Sequence, residues 1–328
     1  MSSHADKPSI LVTRAIFPEV IARLAEHFTV ESNPDDNLWD RTELIRRLQG
    51  KVGVFTTGVE RVDADLLTQC PDLKICANMT VGYNNFDLAA MTAVGVIGTN
   101  APEVLTETTA DFGFALLMAT ARRVTESEHF LRAGQWTRWS YDMFSGAEVH
   151  GSTLGILGMG RIGQAIARRG ALGFGMQVLY HNRSPLSAAL EQECKARYVS
   201  KEDLLRSADH LMLVVPYSAA SHHAIGSAEL GLMKPTATLI NIARGGVVDD
   251  AALAQALKDR VIAAAGLDVY EGEPKVHPAL LQVPNVVLTP HIASATEGTR
   301  RAMAALAVDN LVGFLVNGRA VTPLNPAV

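Results

Sequence analysis

Four polar side chains stand at or just beyond the ends of apolar, strand-like runs in the second half of the chain: Arg244, Asp268, Glu273 and His291. An arginine can bind a carboxylate through two parallel hydrogen bonds, and a histidine beside a carboxylate can act as a general acid. Together they are what the reduction of a carbonyl group beside a bound dinucleotide requires. A single loop arginine is usually a surface cation and a single histidine is more often structural, so the hypothesis depends on their joint occurrence.

A run of glycines indicates where the dinucleotide binds. Gly158, Gly160 and Gly163 follow the strand-like run 153–157 and open a helical stretch over 161–169. In this context the first glycine permits a tight turn, the second lets the pyrophosphate approach the backbone, and the third lets helix and strand pack closely. The alternative is that the glycines form only a structural turn in an unrelated α/β protein.

The segment after the next strand bears on the choice of cofactor. NAD-specific sites carry an acidic side chain about 20 residues past the glycines, which bonds the ribose 2′-hydroxyl. This chain has Asn182, Arg183 and Ser184 instead. A guanidinium can bond a 2′-phosphate that a carboxylate would repel, so we predict a preference for NADP(H). If Arg183 is only a solvated loop residue, the protein uses both NADP(H) and NAD(H).

Composition limits the class of protein. The 328 residues are 48% hydrophobic with a formal net charge of −5, which suits two ordinary domains and argues against a nucleic-acid or anionic-membrane surface. Cys70, Cys76 and Cys194 lack metal-ligand spacing, so we predict reduced thiols and no metal site. The polar start lacks the core of a signal peptide, and no run approaches the ~20 apolar residues of a membrane span. We expect a soluble, cytoplasmic protein.

Strand-like and helical patterns alternate along the chain, which predicts an α/β fold with two doubly wound parallel-sheet domains. The first domain would comprise residues 1–101 and 292–328. The second, with about six strands, would comprise residues 102–291 and be inserted in the first, with hinges near Pro102 and Pro290.

The last part of the chain is predicted to form a helix over 297–317, which returns to the first domain and is capped by Gly318. Other helices are predicted over 18–27, 42–48 and 104–121. The predicted strands cover residues 10–12, 29–31, 52–56, 75–78, 96–99, 153–157, 177–180, 210–215, 238–241, 263–267 and 286–288.

Four stretches between residues 158 and 292 together resemble the D-isomer-specific 2-hydroxyacid dehydrogenases. They are the glycine run 158–163, NIARGG at 241–246, GLDVYEGEP at 266–274 and TPHI at 289–292. The spacing between these stretches also fits, and the resemblance covers essentially the whole chain. Within the family the chain is most similar to the bacterial glyoxylate/hydroxypyruvate reductases, also called 2-ketogluconate reductases, through Phe144, His150, Gly151 and the segments 180–184 and 309–311.

The resemblance implies a role for each of the four polar residues. Arg244 would bind the substrate carboxylate and the 2-oxo oxygen, and His291 would be the acid/base. Glu273 would hold the His291 ring and favour its imidazolium form, and Asp268 would bond the nicotinamide carboxamide. The family also implies a flavodoxin-like substrate-binding domain, a Rossmann cofactor domain and a homodimer.

Further contacts follow from the same resemblance. The N–H groups of Val81 and Gly82 would cradle the substrate carboxylate, and Trp139 would reach the substrate pocket of the partner subunit unless it is an interface residue remote from the substrate. Thr109 would lie near the nicotinamide, and Val215 with Pro216 beside the adenine. The expected cofactor contacts are Gly158, Gly160, Arg161, Ile162, Gly163, Asn182, Arg183, Ser184, Val215, Pro216, Thr109, Ile242 and Asp268.

The implied activity is the NADPH-preferring reduction of small 2-oxo acids, namely glyoxylate, hydroxypyruvate and 2-ketogluconate, to D-2-hydroxy acids. Two alternatives stay open. An NAD-linked enzyme of the family, such as phosphoglycerate dehydrogenase, would usually carry an acidic residue near position 182 and often an added regulatory domain. A dinucleotide-sensing transcriptional corepressor would keep the catalytic residues but usually has a longer disordered tail.

Overall fold

The computed structural model describes residues 7–326, in which the chain forms two compact units. The first unit takes residues 7–105 and 295–326 of the described chain, and the second takes residues 106–294. Each is built on a parallel sheet. Strands Gly53–Thr56 and His210–Leu213 bury every residue, as expected where both faces of a parallel sheet are covered.

The first unit alternates strands with helices up to residue 105. Aspartates cap three of its helices by accepting an N–H group of the first turn: Asp40, Asp63 and Asp87. In chain order the elements are β1 (Ser9–Val12), α1 (Pro18–His27), β2 (Thr29–Glu31), α2 (Arg41–Leu48), β3 (Gly53–Thr56), α3 (Ala64–Gln69), β4 (Ile75–Asn78), α4 (Leu88–Ala93) and β5 (Ile97–Thr99). The strand order β2-β1-β3-β4-β5 is that of flavodoxin-like folds.

The second unit has a sheet of seven parallel strands. Its elements are α5 (Thr106–Ala121), α6 (Val124–Arg132), β6 (Thr153–Leu157), α7 (Arg161–Arg168), β7 (Gln177–His181), α8 (Ala188–Cys194), β8 (Ala196–Tyr198), α9 (Lys201–Ser207), β9 (His210–Leu213), α10 (Ser227–Leu232), β10 (Thr238–Asn241), α11 (Asp250–Lys258), β11 (Ala264–Leu267) and β12 (Val286–Leu288). The order is β12-β11-β10-β9-β6-β7-β8. Strands β7 and β8 lie on one side of β6, and β9 to β12 lie on the other. The order of strands therefore reverses at β6, as it does at the switch point of a Rossmann fold.

The predicted fold class, with two parallel α/β sheets, is confirmed, but details differ. The expectation of about six strands in the second unit missed β8, which is three residues long and carries the exposed Arg197. The strand expected over 210–215 ends at Leu213, where the following backbone comes against Gly158. The short helices α3 and α4, of six residues each, were also missed.

The last helix, α12 (Glu297–Asn317), packs against α1, β3 and β4 in the first unit. The Thr296 side chain accepts the N–H of Thr299 at its start, and Gly318 ends it with a φ of +76°. These bounds match the prediction. No helix within residues 7–326, α12 included, is both long and apolar enough to cross a membrane.

Candidate active site

The glycine run forms the turn between β6 and α7. Gly158 has a φ of +102°, and a Cβ on it would lie 2.8 Å from the backbone after β9. A Cβ on Gly163 would lie 2.3 Å from the carbonyl oxygen of Gly158, so both positions require glycine. At Gly160 no atom lies within 4 Å of such a Cβ. The loop therefore leaves open space at the start of α7, where Arg161 and Ile162 begin the helix. The pyrophosphate of a dinucleotide needs such space at a helix N-terminus.

The chain leaving β7 is tied to this loop. Oδ1 of Asn182 accepts a hydrogen bond from the N–H of Met159 at 2.7 Å. Arg183 and Ser184, the next two residues, are exposed. Asn182 thus holds the glycine loop in place, and the guanidinium and hydroxyl groups lie on the surface beside it.

Four further residues expected around the cofactor lie in the same unit. Val215 is half-buried and Pro216 exposed just beyond β9, and Ile242 is buried just beyond β10. Thr109 is buried in α5, and its hydroxyl has no hydrogen-bond partner within the described part of the chain. Since buried polar groups are normally satisfied, an unpartnered hydroxyl fits a place that a ligand completes.

Arg244 lies in the loop that follows β10. Burial lowers its pKa, and the negative charge of Glu273 partly offsets this effect, but a guanidinium stays protonated. Its Nη1 donates to the carbonyl oxygen of Ala243 at 2.7 Å, and no carboxylate within residues 7–326 forms an ion pair with it. A Cβ on Gly245 would lie 1.7 Å from the carbonyl oxygen of Tyr270, so this loop packs directly on the chain after β11. The site therefore holds a largely buried cation that an anionic ligand can pair with.

His291 and Glu273 form a hydrogen-bonded pair. Nδ1 of His291 lies 2.7 Å from Oε2 of Glu273, and Oε1 accepts the N–H of Tyr270 at 2.9 Å. Burial alone would raise the pKa of Glu273, but the hydrogen bond and charge of His291, with the nearby charge of Arg244, hold it below its ordinary value. The carboxylate is therefore ionised near neutral pH and can stabilise an imidazolium. The His291 side chain is 45% exposed, which leaves the pair open to a ligand.

Asp268 is fully buried just beyond β11 and fixes the turn that carries His291. Its carbonyl oxygen accepts the N–H of His291 at 2.9 Å; Oδ1 accepts the Thr289 hydroxyl and the Ile292 N–H, and Oδ2 the Ala293 N–H. Burial raises the pKa of Asp268, and these hydrogen bonds offset part of the rise. They hold His291 at a φ of +54°, which is uncommon for a residue with a side chain. The expected contact with the nicotinamide carboxamide stays a prediction.

The structure thus brings together Arg244, Asp268, Glu273 and His291. They lie at the carboxyl ends of β10, β11 and β12, which are neighbours in the sheet. Ligands of open α/β sheets bind at this edge. Parallel neighbouring strands are the physical reason that residues far apart in sequence meet here.

Sequence reasoning missed two residues that support this edge. Oδ1 of Asn241 accepts the N–H of Ala243 at 3.0 Å and shapes the turn before Arg244. An asparagine at a strand end, with two glycines four and five residues later, is a turn signal that could have found it. The Tyr270 hydroxyl lies 2.9 Å from the carbonyl oxygen of Thr289 and 3.1 Å from that of Leu267, between which it shares its proton. This contact joins the ends of β11 and β12, and no sequence pattern indicates it.

The three other residues expected to contact the substrate are Val81, Gly82 and Trp139. Val81 and Gly82 are in the first unit, where their carbonyl oxygens accept hydrogen bonds from the side-chain amides of Asn100 at 2.7 Å and Asn78 at 2.9 Å. This loop is therefore fixed by its own unit. Trp139 is in the second unit, beyond α6, and is 74% exposed.

Residues 114–293 match the family model described as the NAD binding domain of the D-isomer specific 2-hydroxyacid dehydrogenases. The chain belongs to this family, as the motifs predicted. The second unit therefore contains a nicotinamide dinucleotide-binding domain. The open space at Gly160 and the unpartnered hydroxyl of Thr109 fit a dinucleotide there.

The chain is similar to known proteins along nearly its whole length. A glyoxylate reductase of Thermococcus gammatolerans is 47% identical over 312 residues, 94% of this chain and 93% of the relative. A glyoxylate/hydroxypyruvate reductase B of Yersinia pestis is 45% identical over 323 residues, 98% of each chain. The crystal structure of an NADPH-dependent glyoxylate/hydroxypyruvate reductase from Sinorhizobium meliloti, in complex with NADP and malonate, has a TM-score of 0.87 at 38% identity and covers 97% of each chain.

Proposed function

We propose that this protein is a reductase of small 2-oxo acids, acting on glyoxylate and hydroxypyruvate and also on 2-ketogluconate, and that it prefers NADPH. The observation that carries the proposal is Arg244, a largely buried cation with no carboxylate partner in the described chain, at the same sheet edge as the His291–Glu273 pair. A 2-oxo acid has a carboxylate that suits Arg244 and, next to it, a carbonyl group that suits the His291–Glu273 pair. The names of the two relatives support glyoxylate and hydroxypyruvate as substrates.

The residues act as follows. Arg244 binds the carboxylate of the 2-oxo acid and its 2-oxo oxygen through the planar guanidinium. When bound, the reduced nicotinamide supplies the hydride that C2 accepts. His291, held at Nδ1 by Glu273, gives a proton from Nε2 to the 2-oxo oxygen as negative charge develops there, so the product is the 2-hydroxy acid. The N–H groups of Val81 and Gly82 are proposed as further donors to the substrate carboxylate.

The preference for NADPH rests on the chain that leaves β7. Asn182 is neutral and engaged with the glycine loop, so no carboxylate stands there to repel a 2′-phosphate. Arg183 and Ser184 are exposed at this position, where a guanidinium and a hydroxyl suit a phosphate. The Sinorhizobium meliloti reductase, an NADPH-dependent enzyme solved in complex with NADP, supports the same preference.

A homodimer is also part of the proposal. Helix α6 buries none of its residues, and the segment after it exposes Trp136, Trp139 and Tyr141 by 54%, 74% and 86%. Exposed apolar side chains so close in sequence mark an interaction surface. Sedimentation over a range of concentrations tests the dimer. A raised KM in Trp139→Ala, with the dimer intact, would support a place for Trp139 beside the substrate of the partner subunit.

The experiment that tests the function is a steady-state panel of 2-oxo acids with NADPH and with NADH. Glyoxylate and hydroxypyruvate should give the highest kcat/KM, and NADPH should exceed NADH. Selective oxidation of 3-phosphoglycerate with NAD would instead favour a phosphoglycerate dehydrogenase. Dinucleotide binding without turnover on any acid of the panel would favour a corepressor-like binding protein.

A further inference from the structure

Two histidines and a glutamate meet on the second unit, apart from the residues of the proposed reaction. His222, His223 and Glu271 each place a potential ligand atom within 4.8 Å of the other two, the single group of three such side chains found within residues 7–326. Nε2 of His223 lies 2.9 Å from Oε2 of Glu271. The two imidazole rings are stacked, with centroids 3.9 Å apart. We name these residues the His222–His223–Glu271 cluster.

Loops that follow three neighbouring strands hold this cluster. The N–H of His223, beyond β9, donates to the carbonyl oxygen of Gly246, beyond β10, at 2.7 Å. The N–H of Glu271, beyond β11, donates to Oδ2 of Asp250 at 3.1 Å. His223 also has a φ of +48°, a conformation that persists in a non-glycine residue only where the surroundings require it. The backbone therefore presents the three side chains together.

An ion pair explains only part of the arrangement. His223 lies between Glu271 and Asp249, whose Oδ2 is 3.9 Å from Nδ1 of His223. His222 forms no ion pair with a carboxylate in the described chain, and Nδ1 of its ring is 3.2 Å from the Tyr217 hydroxyl. The ion pair with Glu271 therefore does not account for the position of the His222 ring, which stacks on the ring of His223.

We propose that the His222–His223–Glu271 cluster binds one divalent transition-metal ion of the zinc type. Two imidazole nitrogens and a carboxylate oxygen are a donor set that zinc accepts, with water completing the coordination. Asp249, facing Nδ1 of His223, is placed as the carboxylate that commonly orients a metal-binding histidine. Magnesium and calcium prefer sets made only of oxygen ligands, so they should not bind.

No metal site was predicted from the spacing of the three cysteines, and none of them belongs to this cluster. His223 and Glu271 are 48 residues apart and follow different strands. The position of the cluster suggests what a metal would do. Gly246, bonded to His223, comes two residues after Arg244, and Glu271 comes two residues before Glu273. A metal would therefore join the loops that carry the proposed catalytic side chains and should raise Tm.

Calorimetric titration of the tag-free full chain with Zn²⁺ tests the site. One Zn²⁺ should bind per chain, and His222→Ala and Glu271→Gln should each raise the Kd for Zn²⁺ by at least about tenfold. A loss of about tenfold is the lower limit found when a residue that only hydrogen-bonds a ligand is replaced, so loss of a ligand should cost at least as much. Asp249→Asn keeps a side-chain oxygen that can cap α11. It should raise the Kd for Zn²⁺ less than the loss of His222 or Glu271 does, because Asp249 is not a proposed ligand. The matched control is His129→Ala, which removes an exposed histidine that lies 3.9 Å from the single carboxylate of Glu128.

His222→Phe removes the ligand but keeps the ring stack, and it should lose Zn²⁺ as His222→Ala does. His291→Ala should keep Zn²⁺ binding, because the proposed metal does not use the His291–Glu273 pair. The proposal is overturned if no Zn²⁺ binds, if His222→Phe and Glu271→Gln bind it as the parent does, or if His291→Ala is the variant that loses it.

Discussion

Nδ1 of His291 lies 2.7 Å from Oε2 of Glu273, and this contact connects the chain after β12 to the chain after β11. The pKa of Glu273 is held below its ordinary value, so its carboxylate is ionised near neutral pH and its oxygen fixes the orientation of the ring. Because Nδ1 is engaged, Nε2 is the ring atom from which a proton can pass to a substrate.

The first prediction concerns His291 itself. His291→Ala should lower kcat by about 10²–10⁴, the usual range for loss of a general acid, because the 2-oxo oxygen then lacks its proton donor. The dissociation constant for NADPH should stay near that of the parent. Steady-state kinetics and a fluorescence titration with NADPH measure the two quantities. Near-parental turnover would rule out the assignment.

Arg244 should contribute to both substrate binding and the reaction. Arg244→Ala should raise KM and lower kcat together, because the guanidinium contacts both the carboxylate and the oxygen that gains charge. Arg244→Lys should recover little activity, since an ammonium group lacks the planar fork. Full activity in Arg244→Lys would contradict the proposal that the guanidinium binds the substrate through two hydrogen bonds.

Asp268 should act through the position of His291. In Asp268→Asn an NH₂ group replaces one of the oxygens that accept the N–H groups of Ile292 and Ala293. We expect a stability loss of about 1–3 kcal/mol and a kcat loss on the order of 10². Thr289→Val removes a single hydrogen bond to Asp268 and should have a smaller effect.

Urea unfolding and kcat are the measurements for this variant. If Asp268 instead acted only through the nicotinamide carboxamide, Kd for the cofactor would rise with little change in stability.

Arg183 should discriminate between the cofactors. A hydrogen bond to a charged group contributes roughly 1.5–3 kcal/mol, or about 10- to 150-fold in affinity. Arg183→Ala should weaken NADPH by about this factor and leave NADH nearly unchanged. Arg197→Ala removes an exposed arginine from β8 and is the matched control. Unchanged NADPH kinetics in Arg183→Ala, or a parent that favours NADH, would contradict the preference.

The stability of the second unit should fall in mild acid because of His210. This side chain is 1% exposed, with Nδ1 2.7 Å from the Thr238 hydroxyl oxygen and Nε2 3.1 Å from the Glu148 carbonyl oxygen. Burial lowers the pKa of His210, and the hydrogen bond to Glu148 and the charge of Asp209 offset only part of this effect. The unfolded chain therefore takes up a proton near pH 6.5 that the folded protein takes up only at lower pH.

The stability that neutral His210 contributes is fully present above about pH 6.5 and is lost as the pH falls below that value. Urea unfolding at pH 7.5 and 5.5 should show a smaller drop in His210→Asn than in the parent, whatever the stability of the variant at pH 7.5. Equal drops would show that other groups account for the acid sensitivity.

The elements that sequence reasoning located well are those with a strong local signal. β6, β10 and β12 are apolar runs, and α12 has both an N-cap and a glycine C-cap, so their bounds match the structure. β8 has no such signal, because its three residues owe their conformation to pairing with β7.

In the candidate site, too, only residues with a local sequence signal could be predicted. Arg244, Glu273 and His291 could be singled out because each follows a recognisable strand. The contact of Asn182 with Met159 could not be foreseen, because it depends on how two loops meet after the strands have paired. The proximity of His222, His223 and Glu271 could not be predicted either, because it depends on β9, β10 and β11 lying side by side in the sheet.

The order of strands in the second unit separates cofactor choice from chemistry. The Arg183 segment follows β7, whereas Arg244 follows β10, three positions away in the sheet and so roughly 14 Å distant at the usual strand spacing. Substitutions that far apart, without shared partners, usually have additive free energies. A change at Arg183 that redirects the protein toward NADH should therefore combine with a change near Arg244 that alters substrate choice, and the two properties can be engineered independently.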